Sequence, residues 1–334
     1  MESERSVSSH SRTVASADPP ARSVVRRTAV IAATSAVALL GSASLVHADT
    51  VSEDTATSAE SPASTAGGPG PPHGPDVLDI AHRGASAYAP ENTLAAIEEA
   101  DERGASTVET DVQRTADGEL IFMHDVDLER TTDVTEVFPD RDSYDVGDFT
   151  MAEVRQLDAG SWFGEEFEGE PVPTLQEGLD LMKDLQLGFL LEIKESELHP
   201  GIEEDIAEVV HDNPWFLAPG SLPGRPGYDR LAIQDFNWEV VESSHELYPE
   251  HIPHGLLGVV PEDELDDYTW ADQVNPNHNS IDGDYVEAVQ EAGMEVHVYT
   301  VNEPEDMRRA IDRGVDGVIT DYVDVLLEIL DEEY

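Results

Sequence analysis

The sequence contains no cysteine and only two lysines, Lys183 and Lys194, among its 334 residues. Without cysteine there can be no disulfide, no thiolate nucleophile and no cysteine-ligated zinc or iron–sulfur centre. A chain of this length can still be held together by its hydrophobic core alone, and it suits one large α/β domain with appendages.

Positive charge is scarce as well: 18 Lys and Arg residues face 72 Asp and Glu residues, and the formal net charge is −54 at pH 7. Phosphate groups would repel such a chain, so we predict neither a nucleic-acid partner nor binding to an anionic membrane surface. Acidic, lysine-poor surfaces suit solvents of high ionic strength, in which screening shortens the range of self-repulsion. The composition therefore predicts a halophilic source.

Residues 1–48 have the pattern of an export signal. Arg26 and Arg27 precede an apolar stretch at 28–45, and Val46-His47-Ala48 follows as a small-residue cleavage pattern. Paired arginines indicate the twin-arginine route and predict an extracellular or cell-envelope location. An uncleaved membrane anchor is the alternative, because the stretch approaches the lower limit of a span. Its alanines and serines favour cleavage after Ala48, so membrane contact is expected at most through this segment.

Residues 49–75 are rich in Ser, Thr, Ala, Gly and Pro and offer little to bury. Such a composition predicts a disordered linker. The remaining residues, 76–334, are predicted to form one domain, and nothing in their pattern indicates an oligomeric state.

From residue 76 onward, short apolar runs alternate with amphipathic stretches. The predicted strands are 77–81, 107–109, 187–193, 230–234, 255–260, 272–274, 295–301 and 317–320. The predicted helices are 93–102, 174–185, 202–211, 238–247, 285–292 and 303–312. This alternation predicts an α/β fold, either a (β/α)₈ TIM barrel or a doubly wound sheet. The glycine-rich phosphate-binding patterns of dinucleotide and P-loop folds are absent, which favours the barrel.

One long segment, between Asp125 and Thr174, has no place in this alternation apart from a short predicted helix near 151–157. We interpret it as an insertion after the second strand region. Long connections within compact domains are usually functional, so we expect this one to overhang an active site.

Polar residues cluster where the predicted strands end, which is where the catalytic groups of barrels lie. They are His82, Arg83, Glu109, Asp111, His124, Glu192 and Lys194. The i, i+2 spacing of Glu109 and Asp111 places both carboxylates on one face of a strand. Three close carboxylates need a cation, and hard oxygen ligands favour Mg²⁺ or Ca²⁺. Two histidines suit paired acid and base roles near neutral pH, so the set predicts phosphodiester chemistry.

These residues stand within a series of motifs that resembles the glycerophosphodiester phosphodiesterase family. The matching blocks are 80–85 (Ile-Ala-His-Arg-Gly-Ala), 89–93 (Ala-Pro-Glu-Asn-Thr), 109–112 (Glu-Thr-Asp-Val), 115–118 (Thr-Ala-Asp-Gly), 124–125 (His-Asp), 128–132 (Leu-Glu-Arg-Thr-Thr), 157–163 (Leu-Asp-Ala-Gly-Ser-Trp-Phe), 172–175 (Val-Pro-Thr-Leu), 191–194 (Leu-Glu-Ile-Lys), 298–302 (Val-Tyr-Thr-Val-Asn) and 314–321 (Gly-Val-Asp-Gly-Val-Ile-Thr-Asp). The blocks occur in the family's order and span nearly the whole predicted domain, from about 76 to about 325.

The resemblance implies a barrel, a divalent cation, and hydrolysis of small glycerophosphodiesters to glycerol phosphate and an alcohol. It implies the following roles: metal ligands Glu109, Asp111 and Glu192; acid–base pair His82 and His124; phosphate contacts Arg83 and Lys194; and Glu91 as a substrate-binding or metal-supporting residue. It also implies that the insertion closes over the glycerol of the substrate. The sequence departs from the family at Tyr299, where tryptophan is common, and at Asp235, where serine is usual.

Several alternatives remain open at this stage. We favour His82 as the base and His124 as the acid, and the nucleophile is either water or the substrate's own glycerol hydroxyl. A phospholipase D-like enzyme acting on intact lipids would need an apolar rim, whereas the insertion is acidic. A non-catalytic barrel that binds an envelope component would be expected to have lost a catalytic group, and none is missing.

Overall fold

A computed structural model of the chain describes residues 77–219 and 230–333. The predicted signal at 1–48 and the predicted linker at 49–75 lie outside these residues. Within the described ranges, no helix is long and apolar enough to cross a membrane.

The strands of the described residues form one closed sheet. They are β1 (Leu78–His82), β2 (Thr107–Arg114), β3 (Leu120–Phe122), β4 (Gly188–Ile193), β5 (Leu231–Asp235), β6 (His254–Leu257), β7 (Gln273–Asn275), β8 (Glu295–Val298) and β9 (Gly317–Thr320). Eight of them pair in parallel around a ring, which β1 closes by pairing with both β2 and β9. The remaining strand, β3, pairs antiparallel with the end of β2. The predicted (β/α)₈ barrel is confirmed.

Helices connect these strands in the order that the amphipathic pattern predicts. They are α1 (Leu94–Glu102), α2 (Val134–Val137), α3 (Met151–Val154), α4 (Leu175–Leu185), α5 (Ile202–His211), α6 (Pro214–Leu217), α7 (Trp238–His245), α8 (Gly283–Glu291), α9 (Pro304–Asp312) and α10 (Val323–Glu333). Their starts follow local chemistry, as at α4, where the Glu177 carboxylate accepts from the Thr174 backbone N–H at 2.9 Å. The Thr174 hydroxyl in turn accepts from the Glu177 N–H at 3.2 Å, which completes a capping box.

The alternation of side chains along β2 separates the core from the site. Val108 and Val112 belong to the hydrophobic cluster that packs the helices against the sheet. Glu109 and Asp111 must then point the opposite way, into the barrel, because successive side chains of a strand alternate. A separate cluster joins Leu78, Ile80, Leu190 and Ile319 of three strands within the barrel.

The predicted insertion, between Asp125 and Thr174, has a small hydrophobic core around Leu128, Val146 and Phe149. The short helix predicted near 151–157 is α3, and it ends earlier, at Val154. The insertion is joined to the start of α1, where the Ala95 backbone N–H donates to Glu170 at 3.2 Å.

Two strands are shorter than the sequence predicts. The strand predicted at 255–260 ends at Leu257, because Gly258 adopts a positive φ of 107° that a strand cannot continue. The strand predicted at 295–301 ends at Val298, and Tyr299 keeps only an isolated bridge to Asn277. The residues that follow these strands, Gly258 and Tyr299, therefore lie in the loops at the carboxyl end of the barrel.

Candidate active site

A cavity of about 180 Å³ opens at the carboxyl end of the barrel. Its lining consists of His82, Arg83, Glu109, His124, Glu192, Lys194, Gln234, Phe236, Leu257, Tyr299, Thr300 and Ile319. Six of the eight residues with a predicted chemical role line the cavity. The other two, Asp111 and Glu91, lie behind the lining residues. No residue of the predicted insertion, between Asp125 and Thr174, is part of this lining.

The three predicted metal ligands converge beneath this cavity. Glu109 and Asp111 lie on β2, and the register of β2 with β4 sets Asp111 directly beside Glu192. One oxygen from each carboxylate lies within 4.8 Å of the others, and all three residues are buried. Two like charges about 4 Å apart repel by roughly 4 kcal/mol at an effective dielectric constant near 20. Such a cluster therefore needs compensating positive charge.

Burial and mutual repulsion dominate the electrostatics of the cluster. Burial, with Asp111 and Glu192 nearby, raises the pKa of Glu109 well above its usual range. Burial likewise raises the pKa of Glu192 to about 7. Burial also acts to raise the pKa of Asp111, but Arg83 and Lys194 outweigh it and the pKa is lowered. The three carboxylates thus outnumber the two positively charged side chains beside them, Arg83 and Lys194.

Arg83 and Lys194 supply these two positive charges. The Arg83 guanidinium lies 3.4 Å from Asp111, and its backbone N–H donates to Glu109 at 2.9 Å. Lys194 Nζ lies 2.7 Å from Glu192 and 3.6 Å from Asp111. Arg83 has a φ of 56°, a conformation uncommon outside glycine. The next residue, Gly84, packs so closely on Ala96 that an added Cβ would come within 2.6 Å of its backbone.

The donor set fits a hard divalent cation. Glu109 Oε1 is buried and has no hydrogen-bond partner, which is costly for a carboxylate oxygen unless a cation compensates it. Three carboxylates with such an oxygen suit Mg²⁺ or Ca²⁺ better than softer metals, for which nitrogen or sulfur ligands are usual.

Each histidine of the cavity is held by a carboxylate through Nδ1. His82 Nδ1 lies 2.6 Å from Asp321 Oδ1, and Asp321 also accepts from Asn302 at 2.7 Å and from Ser86 at 3.0 Å. The partner of His124 is Asp125, at 2.8 Å.

The two carboxylates differ in their other contacts. Arg130 donates to Asp125 at 2.6 Å and 3.0 Å and holds the pKa of Asp125 well below its usual range. Burial lowers the pKa of His124 below its ordinary value. His82 therefore faces a carboxylate with neutral partners, and His124 faces one that an arginine already neutralises.

Glu91 lies between two arginines instead of facing the cavity. Its Oε1 accepts from Arg83 at 2.8 Å, and Arg130 donates to both of its oxygens at 2.8 Å. Burial acts to raise the pKa of Glu91, but the two arginines lower it overall. In this geometry Glu91 holds the Arg83 side chain in place beside the cavity.

Of the two departures from the family pattern, Tyr299 lines the cavity, and Asp235 lies between the lining residues Gln234 and Phe236. Tyr299 packs edge to face on Phe236, with ring centroids 6.1 Å apart. Asp235, at the end of β5, is 4% exposed, and burial raises its pKa to about 6. The structure thus places both substitutions where they can affect substrate choice.

Sequence reasoning missed the residues that orient the site. Asp321 follows β9, so the rule that catalytic groups follow strand ends would have found it. Asn92 donates to Asp111 at 2.8 Å and adopts a φ of 57°. Arg130 lies within the insertion and contacts Glu91 across 39 residues of chain. The motif blocks 89–93 and 128–132 contain these last two residues but do not reveal which groups they contact.

Comparison with known proteins places this geometry in a family. Residues 82–325 match the model of the glycerophosphoryl diester phosphodiesterase family. The chain is 37% identical over 257 residues to a glycerophosphodiester phosphodiesterase of Caldanaerobacter subterraneus, covering 76% of this chain and 97% of that protein. It is 34% identical over 267 residues to a Bacillus subtilis protein of the same name, covering 76% and 86% of the two chains.

Solved structures agree with the sequence relatives. A phosphodiesterase from Oleispira antarctica, determined with its product sn-glycerol-3-phosphate, superposes with a TM-score of 0.64 at 31% identity and covers 77% of this chain and 97% of that one. A glycerophosphodiester phosphodiesterase from Agrobacterium tumefaciens gives 0.61 at 25% identity, covering 75% and 99%. With the barrel and the carboxylate cluster already in place, these matches show that the chain belongs to the glycerophosphoryl diester phosphodiesterase family.

Proposed function

We propose that this enzyme hydrolyses glycerophosphodiesters to glycerol phosphate and an alcohol, using a divalent cation and two histidines. The observation that carries the proposal is the orphaned oxygen of Glu109 within a buried cluster of three carboxylates, in a cavity that two carboxylate-held histidines also line. The relatives named above support the hydrolysis of glycerophosphodiesters. The cation and the roles of the histidines rest on the geometry alone.

Glu109, Asp111 and Glu192 would hold Mg²⁺ or Ca²⁺. A bound cation supplies positive charge that neutralises the phosphodiester as negative charge develops. Arg83 and Lys194 already lie at the cavity wall with their charges turned toward these carboxylates. They are suited to contact the remaining phosphate oxygens, where preorganised positive charge stabilises a transition state.

His82 is assigned as the base and His124 as the acid. A carboxylate on Nδ1 fixes the tautomer, so that Nε2 carries the reactive lone pair or proton. Asp321 keeps its negative charge for His82, since its other contacts are with Asn302 and Ser86. Asp125 shares its charge with Arg130, so it stabilises a protonated His124 less and makes it the better proton donor. The proton comes from water or from the glycerol hydroxyl of the substrate.

The test is hydrolysis of glycerophosphocholine by the purified chain in high salt, with Mg²⁺, Ca²⁺ or EDTA. We expect release of glycerol phosphate with one of the cations, loss of release in EDTA, and at least roughly 10²-fold less in Glu109→Gln. Glu250→Gln, an exposed acid in the loop before β6 at the opposite end of the barrel, is the matched control and should behave as wild type. Turnover that is unaffected by EDTA and by Glu109→Gln would refute the metal site.

One observation favours a second candidate, the phospholipase D-like action on intact lipids. All five large apolar side chains that the described residues expose lie in segments that follow strand ends: Trp162, Leu198, Phe236, Val259 and Tyr322. An apolar rim of this kind could meet lipid chains. Including phospholipid micelles as a substrate in the same assay separates the two activities.

Export by the twin-arginine route and a high-salt habitat complete the proposal. They rest on residues 1–48 and on the net charge of −54. Detection of the chain outside the cytoplasm, lost when Arg26 and Arg27 are replaced by lysine, would test the first.

A further inference from the structure

A second pocket adjoins the catalytic cavity. It has a volume of about 250 Å³ and shares Glu192, Lys194 and Phe236 with that cavity. Ligand pockets in proteins begin at roughly 300 Å³, so the two together offer room for a phosphodiester and a small group attached to it. A phosphate bound beside Glu192 would direct one of its two ester groups into this second pocket.

The walls of the second pocket are acidic. Beyond the shared residues it is lined by Glu195, Glu197 and Asp235. Its one lysine, Lys194, lies 2.7 Å from Glu192 and is outnumbered by the acidic residues of the pocket. Negative charge is common on this protein, and acidic residues alone would not define a site.

Two further observations distinguish this pocket from the general surface. Asp235 is 4% exposed, and its Oδ2 has no hydrogen-bond partner, although its Oδ1 accepts from the Asn237 N–H at 2.9 Å. Phe236, the next residue, is 54% exposed despite the very polar surface around it. Its ring is held edge to face against Tyr299 at 6.1 Å, and Lys194 Nζ lies 5.8 Å from its centroid. An open aromatic ring thus stands next to a buried carboxylate that has one oxygen without a hydrogen-bond partner.

We propose that this pocket binds the alcohol part of the substrate and selects alcohols that carry a quaternary or primary ammonium group. Aromatic faces attract such cations, quaternary ammonium above all, and the three acids add a long-range attraction. A neutral polyol would gain neither contribution. The subsite rests on the proposed function, because it is defined relative to the cavity in which the phosphodiester would bind.

Binding of choline itself tests the subsite without any turnover. Calorimetry in the same high-salt buffer would compare choline chloride with 3,3-dimethylbutanol, its uncharged isostere. We expect wild type to bind choline at least about fivefold more tightly than the isostere, and Phe236→Leu to reduce that ratio by about fivefold. Glu197→Gln should reduce it by about twofold, and Glu250→Gln at the opposite end of the barrel should leave it unchanged.

Equal affinity of wild type for choline and the isostere would overturn the proposal, as would a ratio that Phe236→Leu leaves unchanged. Tighter binding of the isostere would also overturn it, and would show an apolar subsite instead. Hydrolysis of glycerophosphocholine in the presence of the divalent cation reports separately on the enzyme. Its absence alongside selective choline binding would refute the proposed function and leave the subsite standing.

Discussion

The two ends of the barrel both bury polar groups, but they arrange their charges differently. At the carboxyl end, three carboxylates, an arginine and a lysine lie within one cluster, and Glu109 Oε1 remains unpartnered. At the amino end, a smaller cavity of about 60 Å³ is lined by Thr107 and Gln273 and by His297 and Glu295, whose side chains lie 3.3 Å apart.

The difference shows where this fold tolerates a cluster of buried charges. A buried charge is tolerated only when an opposite charge or a cation compensates it, and the loops that could supply one begin at the carboxyl ends of the strands. The amino end has shorter connections, and the buried His254 there is held by hydrogen bonds that need no charge. Substitutions that affect one end of the barrel and leave the other unchanged therefore test the assignment of the site.

Removing either histidine of the carboxyl end should have the largest effect. We expect His82→Ala and His124→Ala each to lower kcat by roughly 10²–10⁴, because each would remove a positioned proton-transfer group. Steady-state kinetics with saturating cation measure this. The control is His211→Ala, an exposed residue at the end of α5, which should stay within a factor of about two. If both variants of the site kept near-normal turnover, the acid–base assignment would be wrong.

Strand β9 carries an aspartate at each of its ends, and this allows a matched comparison. Asp321 follows the strand and holds His82, whereas Asp316 precedes it and accepts from the Val296 N–H at 2.8 Å. We expect Asp321→Asn to lower kcat by about 10- to 100-fold, as loss of an orienting carboxylate does. Asp316→Asn should lower the melting temperature with little change in kcat. The positioning role fails if the two variants lose activity equally, or if Asp321→Asn loses it only through unfolding.

The sequence alone predicted the barrel because its strands and helices differ in period, and because α5 and β9 have clear ends. It also predicted which groups lie at strand ends, since β2 must turn Glu109 and Asp111 to one side. It could not predict that Arg130 reaches Glu91 across the insertion, because such a contact depends on how a segment of irregular structure packs. The sequence did not predict that β6 ends at Leu257. The reason is local, because an apolar run continues through Val259 and Val260 after the backbone has turned at Gly258.

The smallest effect on turnover is expected when His254 is replaced by glutamine. This residue lies at the start of β6 and is fully buried. Its Nδ1–H donates to the Ile252 carbonyl at 2.9 Å, and its Nε2 accepts from the Ser244 hydroxyl at 3.2 Å, so the neutral ring is fully satisfied. Burial lowers the pKa of His254 to about 4. In the unfolded chain the value returns to about 6.5.

Because the folded pKa is the lower one, the unfolded chain binds the proton first as the pH falls. Below pH 6.5 each unit should therefore remove about 1.4 kcal/mol from the free energy of unfolding, until the ring of the folded protein protonates near pH 4. Between pH 7 and pH 5 the wild type should lose about 2 kcal/mol through this residue, and His254→Gln should be spared that loss. Denaturant unfolding in high salt at both pH values measures the difference, with His211→Gln as the exposed control. An identical loss in wild type and His254→Gln would mean that His254 is charged in the folded protein. The amino end of the barrel would then hold a buried charge at His254, and the difference between the two ends would be lost at this position.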